Sequence, residues 1–176
     1  DVCSSDLKRG KCVTILTPDG IRNSYELSGL LESAAAVNAA KGLSAEVHGK
    51  LAALVGRMRE AVRAGGAFEE HASLGTEFHE TILSLSDNPL IRSLASRSSR
   101  VISKFLMYER WRTLYTPEEL YDRHNRIYEA LCSGERRRIE NAVREHYAES
   151  AERLARYCVP PDDKPRGTGK AHFPEE

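Results

Sequence analysis

Along most of the chain, apolar residues recur every three or four positions, the spacing of one buried stripe on a helix. Residues 24–40 carry Leu27, Leu30/Leu31, Ala34/Ala35 and Asn38 at that spacing and predict a first helix. Ser44 is the expected N-cap of a second, with Val47, Leu51, Leu54, Met58 and Val62 inward and Gly65-Gly66 at its end. A third helix aligns Phe68, His71, Gly75, Phe78/His79, Ile82 and Leu85. Asn88-Pro89 opens a fourth, whose stripe is Ile91, Leu94, Ser98, Val101, Phe105 and Tyr108. Thr116-Pro117-Glu118-Glu119 has the spacing of a capping box with Pro at the first helical position. The fifth helix that follows carries Leu120, His124, Ile127 and Leu131 on one face and is broken by Gly134. The sixth carries Ile139, Val143, His146, Ser150 and Leu154. Six helices with short joins, and no alternation of strands with helices, predict an all-α antiparallel bundle over residues 24–158.

The two ends break this pattern. Asp1-Val2-Cys3-Ser4-Ser5-Asp6-Leu7 has no periodicity and reads as a non-native leader. Lys8-Arg9-Gly10-Lys11-Cys12-Val13-Thr14-Ile15-Leu16-Thr17 reads as one short β strand after a glycine turn. Residues 1–23 are therefore expected to lie outside the helical domain. Residues 159–176 are rich in Pro, Gly and charge and are expected to be a disordered tail.

Composition narrows the function classes. The 176 residues are 30% charged and 40% hydrophobic, with Lys plus Arg equal to Asp plus Glu at 26 each. A net charge of zero argues against nucleic-acid binding by bulk electrostatics. No apolar run approaches the roughly 20 residues of a membrane span. Cys3, Cys12, Cys132 and Cys158 are scattered without a C-x-x-C and read as free thiols of a reducing, cytoplasmic compartment.

The candidate chemistry lies in the stripes. His79, His124 and His146 each occupy an inward position on a different helix. One such histidine is ordinarily a packed side chain satisfied by a hydrogen bond. Three on three helices are a candidate metal centre, because neutral imidazole is the commonest transition-metal ligand and bundle interiors build such sites. Three nitrogen donors with an open position suit Zn²⁺, Ni²⁺ or Fe²⁺. His71 is expected to be half-exposed, His48 to be at the surface, and His172 to lie in the tail. Arg97 and Arg100, on the fourth helix, are candidates to hold an anionic ligand through bidentate contact with a carboxylate. The fourth helix also carries Ile102, Leu106, Met107 and Trp111 beyond its stripe, an apolar excess that predicts a homodimer interface. Two other readings stand beside a sensor. A small metal-dependent enzyme would need a general base near the metal, and Glu80 lies off the inward face. A structural bundle would merely pack its histidines.

Several motifs together are similar to one family. These are Tyr25-Glu26-Leu27 with Leu31-Glu32 and Ala35-Ala36; Phe78-His79 with Asn88-Pro89-Leu90; Arg123-His124-Asn125-Arg126-Ile127 with Ala130, Gly134-Glu135 and Ala142; and Arg144-Glu145-His146. His146 follows His124 by 22 residues. The chain from Tyr25 to Tyr157 resembles the FCD domain, the effector-binding domain of FadR-type GntR transcription regulators. The resemblance implies a dimeric helical bundle, not an enzyme, that binds a small carboxylic acid beside a divalent metal such as Zn or Ni. It implies His79, His124 and His146 as metal ligands, with a carboxylate one turn before His79. That position falls on Gly75, which supplies no donor and is expected to leave room where the acid enters. Ser28 stands where the family often has an arginine. The 10–17 strand would be the last wing strand of a winged-helix reader otherwise missing, and DNA would be bound only through that missing reader.

Overall fold

The computed structural model describes residues 17–100 and 113–158. They form helices α1 (Pro18–Ala40), α2 (Ala45–Ala64), α3 (Phe68–Ser84), α4 (Pro89–Arg100), α5 (Pro117–Ser133) and α6 (Arg136–Ala155), and no strand occurs among them. The all-α bundle is as expected. The 10–16 stretch of the expected strand and the tail beyond residue 158 lie outside the described residues.

Local chemistry sets the helix ends. The Ser44 hydroxyl accepts from the Val47 amide at 3.2 Å, and α2 stops at Gly65, whose φ of 66° suits glycine. At α5 both halves of the capping box form. The Thr116 hydroxyl accepts from Glu119 N at 3.2 Å, and the Glu119 carboxylate accepts from Thr116 N at 2.9 Å. Asn88 Oδ1 accepts from Leu90 N at 2.9 Å to open α4. One boundary differs. α1 begins at Pro18, capped by the Thr17 hydroxyl, six residues before the expected start at Ser24. Thr-Pro-Asp is itself a start signal, and the turn it adds carries Ile21 into the core with no exposed surface.

The core lies where Leu51, Leu54 and Met58 of α2 meet Leu74, Phe78 and Ile82 of α3, Leu120, Ile127 and Leu131 of α5, and Ile139, Val143 and Leu154 of α6. The stripes of these four helices are as expected. Those of α1 and α4 are not. On α1 the buried line is Ile21, Tyr25, Ser28, Gly29, Glu32 and Ala36, while Leu27 and Leu30 are each 44% exposed. The reason is proximity to α6, the helix α1 packs against most closely. A Cβ at Gly29 would stand 3.2 Å from Tyr147 Cβ, so small residues face inward and the leucines outward. On α4, Leu94 is 46% exposed and Ala95 is buried instead. Here the contact with α1 includes hydroxyls. Ser28 Oγ lies 2.8 Å from Ser98 Oγ, and Ser24 Oγ donates to the Ser98 carbonyl. The expected stripe residues Val101, Phe105 and Tyr108, and the expected interface residues Ile102, Leu106, Met107 and Trp111, lie outside the described residues.

Candidate metal centre and its surroundings

Three helices bring His79 (α3), His124 (α5) and His146 (α6) together. Their ring centroids are 5.1 Å apart for His79–His124, 4.8 Å for His79–His146 and 5.1 Å for His124–His146. One ring nitrogen from each lies within 4.8 Å of the other two. The inward stripe that contains Phe78 also places its ring edge-on to His124, with centroids 5.5 Å apart.

Hydrogen bonds set two of the three imidazoles. His124 Nδ1 is 2.6 Å from the Leu120 carbonyl, which can only accept, so Nδ1 carries the proton and Nε2 the lone pair. His79 Nδ1 is 2.6 Å from Oε1 of Glu32, a carboxylate with no exposed surface. Its other oxygen, Oε2, accepts from the Tyr147 hydroxyl at 2.5 Å. A carboxylate behind a histidine is the arrangement that orients an imidazole toward a metal and raises its basicity. His146 Nδ1 is buried with no hydrogen-bond partner, an orphan that an ion or a ligand would satisfy.

Electrostatics favours the neutral form of His124 and His146. Burial pushes His124 down to about 3, helped by the neighbouring His79. Burial also lowers His146 well below the ordinary imidazole range, with the Arg123 guanidinium adding to the effect. Burial, then the charge of Glu32, raises the Tyr147 phenol well above its ordinary range, so it keeps its proton and donates it to Glu32. Three imidazoles, two of them held at Nδ1 by an oxygen, are a donor set that fits a borderline transition-metal ion.

A model of the FCD domain family matches residues 23–149, which contain all three histidines. The chain belongs to the FCD family. FCD is the C-terminal effector-binding domain of GntR-family regulators. No curated protein and no solved structure matches the chain.

In this FCD domain Gly75 has a different role from the one expected. A Cβ there would stand 2.9 Å from His124 Nε2 and 3.1 Å from Cε1. The expected room is filled by the His124 ring, and the glycine is the seat that lets the ring approach α3. Arg97 is exposed on α4, and the side chain of Arg100 lies outside the described residues. The buried guanidinium beside the histidines is Arg123, which is 3% exposed. Its Nη2 donates to the His146 carbonyl at 2.6 Å and to Ser150 Oγ at 2.8 Å, and its Nη1 donates to Glu149. Its Cζ sits 4.1 Å from the centroid of the Tyr115 ring. Outside Arg123, a cleft of about 390 Å³ is lined by Glu119, Asp122, Arg123, Asn125, Arg126 and Glu149.

Sequence reasoning missed Glu32, Arg123 and Tyr147. Each was detectable, because Glu32 is one helical turn from Ser28 and from Ala36, Arg123 from Ile127, and Tyr147 from Val143 and Ala151. His71 was expected to be half-exposed; it is 2% exposed, and neither ring nitrogen has a partner. The inward turn of α3 from His71 to Leu74 and Gly75 carries it into the core. His48 is at the surface as expected, with Nε2 3.2 Å from the Tyr128 hydroxyl and 3.5 Å from Cys132 Sγ. His172, Cys3 and Cys12 lie outside the described residues. No helix among the described residues is long and apolar enough to cross a membrane.

Proposed function

We propose that this FCD domain holds a divalent metal ion on His79, His124 and His146 and recognises a small carboxylic acid at that centre. The supporting observation is the convergence of three imidazole nitrogens within 4.8 Å, from three helices, two of them oriented from behind by Glu32 and the Leu120 carbonyl. A bound divalent ion would supply positive charge and an open position for a carboxylate oxygen. The chain's own residues do the rest. Glu32 and Tyr147 fix the His79 ring, Leu120 fixes His124, and Arg123 ties down the backbone carbonyl of His146.

The test is metal analysis of the purified protein, with mass spectrometry of any small molecule retained. Stoichiometric Zn, Ni or Fe in the parent, lost in His124→Ala and His146→Ala but kept in His48→Ala, supports the reading. Parent protein that takes up no metal from a Zn²⁺ titration leaves only packed histidines. In a complete regulator the acid would act by shifting the balance between two arrangements of DNA-binding domains supplied by a winged-helix segment. We infer a cytoplasmic homodimer, consistent with outward Leu27, Leu30, Leu90 and Leu94 on α1 and α4. Light scattering at micromolar concentration should give twice the chain mass, and a monomer there refutes the dimer.

A further inference from the structure

Away from the three histidines, another imidazole stands against a thiol. His48 Nε2 lies 3.5 Å from Cys132 Sγ and 3.2 Å from the Tyr128 hydroxyl. Tyr128 and Cys132 are one helical turn apart on α5, so both side chains reach the same ring. His48 comes from the first turn of α2, 84 residues before Cys132. Its place is well fixed. The His48 amide donates to the Ser44 carbonyl at 2.9 Å, and the imidazole packs on the Tyr128 ring with centroids 5.6 Å apart. Tyr128 is itself half-buried against the core. Cys132 lies eight residues after His124 on α5, about 12 Å along the axis, so this trio is separate from the candidate metal centre.

The nucleophile in thiol chemistry is the thiolate, so a cysteine reacts fast only where something takes its proton. Cys132 sits in the last turn of α5, where the peptide dipoles do not favour negative charge, and a base has to come from another element. The imidazole of His48 is in the right place. In the tautomer with Nδ1 protonated, Nε2 turns its lone pair to the thiol. Partial burial, then the hydrogen bond to Cys132, raises the Tyr128 phenol, so it keeps its proton and has it to donate as charge develops on the sulfur. Access is open. Cys132 and His48 are both exposed, and a Cβ on Gly49, next to His48, or on Gly134, just past Cys132, would meet nothing within 4 Å. Cys158, by contrast, is half-buried, and burial pushes its thiol up.

We propose that Cys132 is a thiol–disulfide exchange site, with His48 as its general base, Tyr128 as hydrogen-bond donor to the sulfur, and a low-molecular-weight disulfide as its substrate. The Sγ proton passes to His48 Nε2 as Sγ attacks one sulfur of that disulfide. A new S–S bond forms to Cys132 and the old S–S bond breaks. The departing thiolate takes the proton back from His48 and leaves as a thiol. Cys132 ends oxidised as a mixed disulfide, the reagent is reduced by the same two electrons, and no further oxidant is needed.

The experiment treats the full chain with glutathione disulfide in the presence of a chelator and follows each cysteine by peptide mass spectrometry. In the parent, Cys132 should be thiolated about tenfold or more faster in the folded protein than in denaturant, because only the fold brings His48 to it. Cys158 should show the reverse, since folding half-buries it. His48→Gln should slow Cys132 in the folded protein by about tenfold or more and leave Cys158 unchanged. Tyr128→Phe should slow Cys132 by a smaller factor. In denaturant the parent and both variants should react alike. The folded-to-denatured ratio at Cys132 is read on the parent alone and holds whether or not a variant folds. Cys132 that reacts no faster folded than denatured would overturn the inference, as would a folded His48→Gln protein that reacts at Cys132 like the parent.

Discussion

Replacing Gly75 with alanine is the sharpest probe of how the centre is built. The added Cβ would lie 2.9 Å from His124 Nε2 and 3.1 Å from Cε1, where ordinary contact begins near 3.4 Å. The ring must retreat by about half an ångström, and it is poorly placed to do so. Its Nδ1 is held 2.6 Å from the Leu120 carbonyl, and Phe78 stands edge-on beside it. Two effects oppose each other. Alanine in a helix interior is worth up to about 1 kcal/mol over glycine. Overpacking a close-packed core costs about 1–3 kcal/mol. The clash wins, for a net loss of roughly 1 kcal/mol, or about 2–4 °C in Tm. Gly56→Ala on α2 is the control, since a Cβ there meets nothing within 4 Å and only the propensity gain remains. Thermal unfolding with chelator should thus move the two variants in opposite directions. Zn²⁺ titration should show Gly75→Ala weakened about tenfold or more, because the displaced atom is the His124 lone-pair nitrogen. If Gly75→Ala is as stable as Gly56→Ala and binds metal like the parent, the seat argument is wrong.

Other outcomes follow from the same contacts. Glu32→Ala strands the buried Tyr147 hydroxyl and frees the His79 ring; calorimetry should find metal affinity about 10–100-fold lower and unfolding should find a loss of about 2–4 kcal/mol, and unchanged metal binding would refute the orienting role. Arg123→Met abandons the His146 carbonyl and Ser150; urea unfolding should show a loss of about 2–3 kcal/mol, and parental stability would mean these bonds add nothing. In metal-free protein, His124 and His146 have folded-state values depressed below the ordinary 6.5, so the unfolded chain binds more protons. Stability should therefore be full above about pH 6.5 and fall by up to about 1.4 kcal/mol per imidazole for each pH unit below it. For His124 the fall continues toward about 3, and a flat urea midpoint from pH 7 to 5 would contradict it.

What was legible in the sequence was local. Ser44, Gly65, the Thr116–Glu119 box and Gly134 act within one turn of backbone, so their spacing alone places the ends of α2 and α5. The three histidines were legible because their own stripes are regular. Glu32 was not, because its partners are 47 and 115 residues away and the leucines of α1 set a misleading phase. Arg123 looked like an ordinary solvated cation, and its pairing with Glu149 and two oxygens on α6, with the Tyr115 ring against its guanidinium, makes its burial tolerable. Gly75 was read as a missing donor because the ring that needs its small size comes from another helix.

The seam between α1 and α4 bears on mechanics. Ser24, Ser28 and Ser98 meet there through short hydroxyls. A hydroxyl can rotate and trade one oxygen partner for another, whereas interdigitated branched chains must jump rotamers together. The contact of α1 with α6 is of the other kind, with Gly29 close against Tyr147 and Glu32 pinned to its hydroxyl. Shear is therefore easier at the serine contacts than where Gly29 and Glu32 meet Tyr147. Of the two contacts that α1 makes, the one with α6 is the more closely interlocked and the one with α4 at Ser24, Ser28 and Ser98 the more readily rearranged.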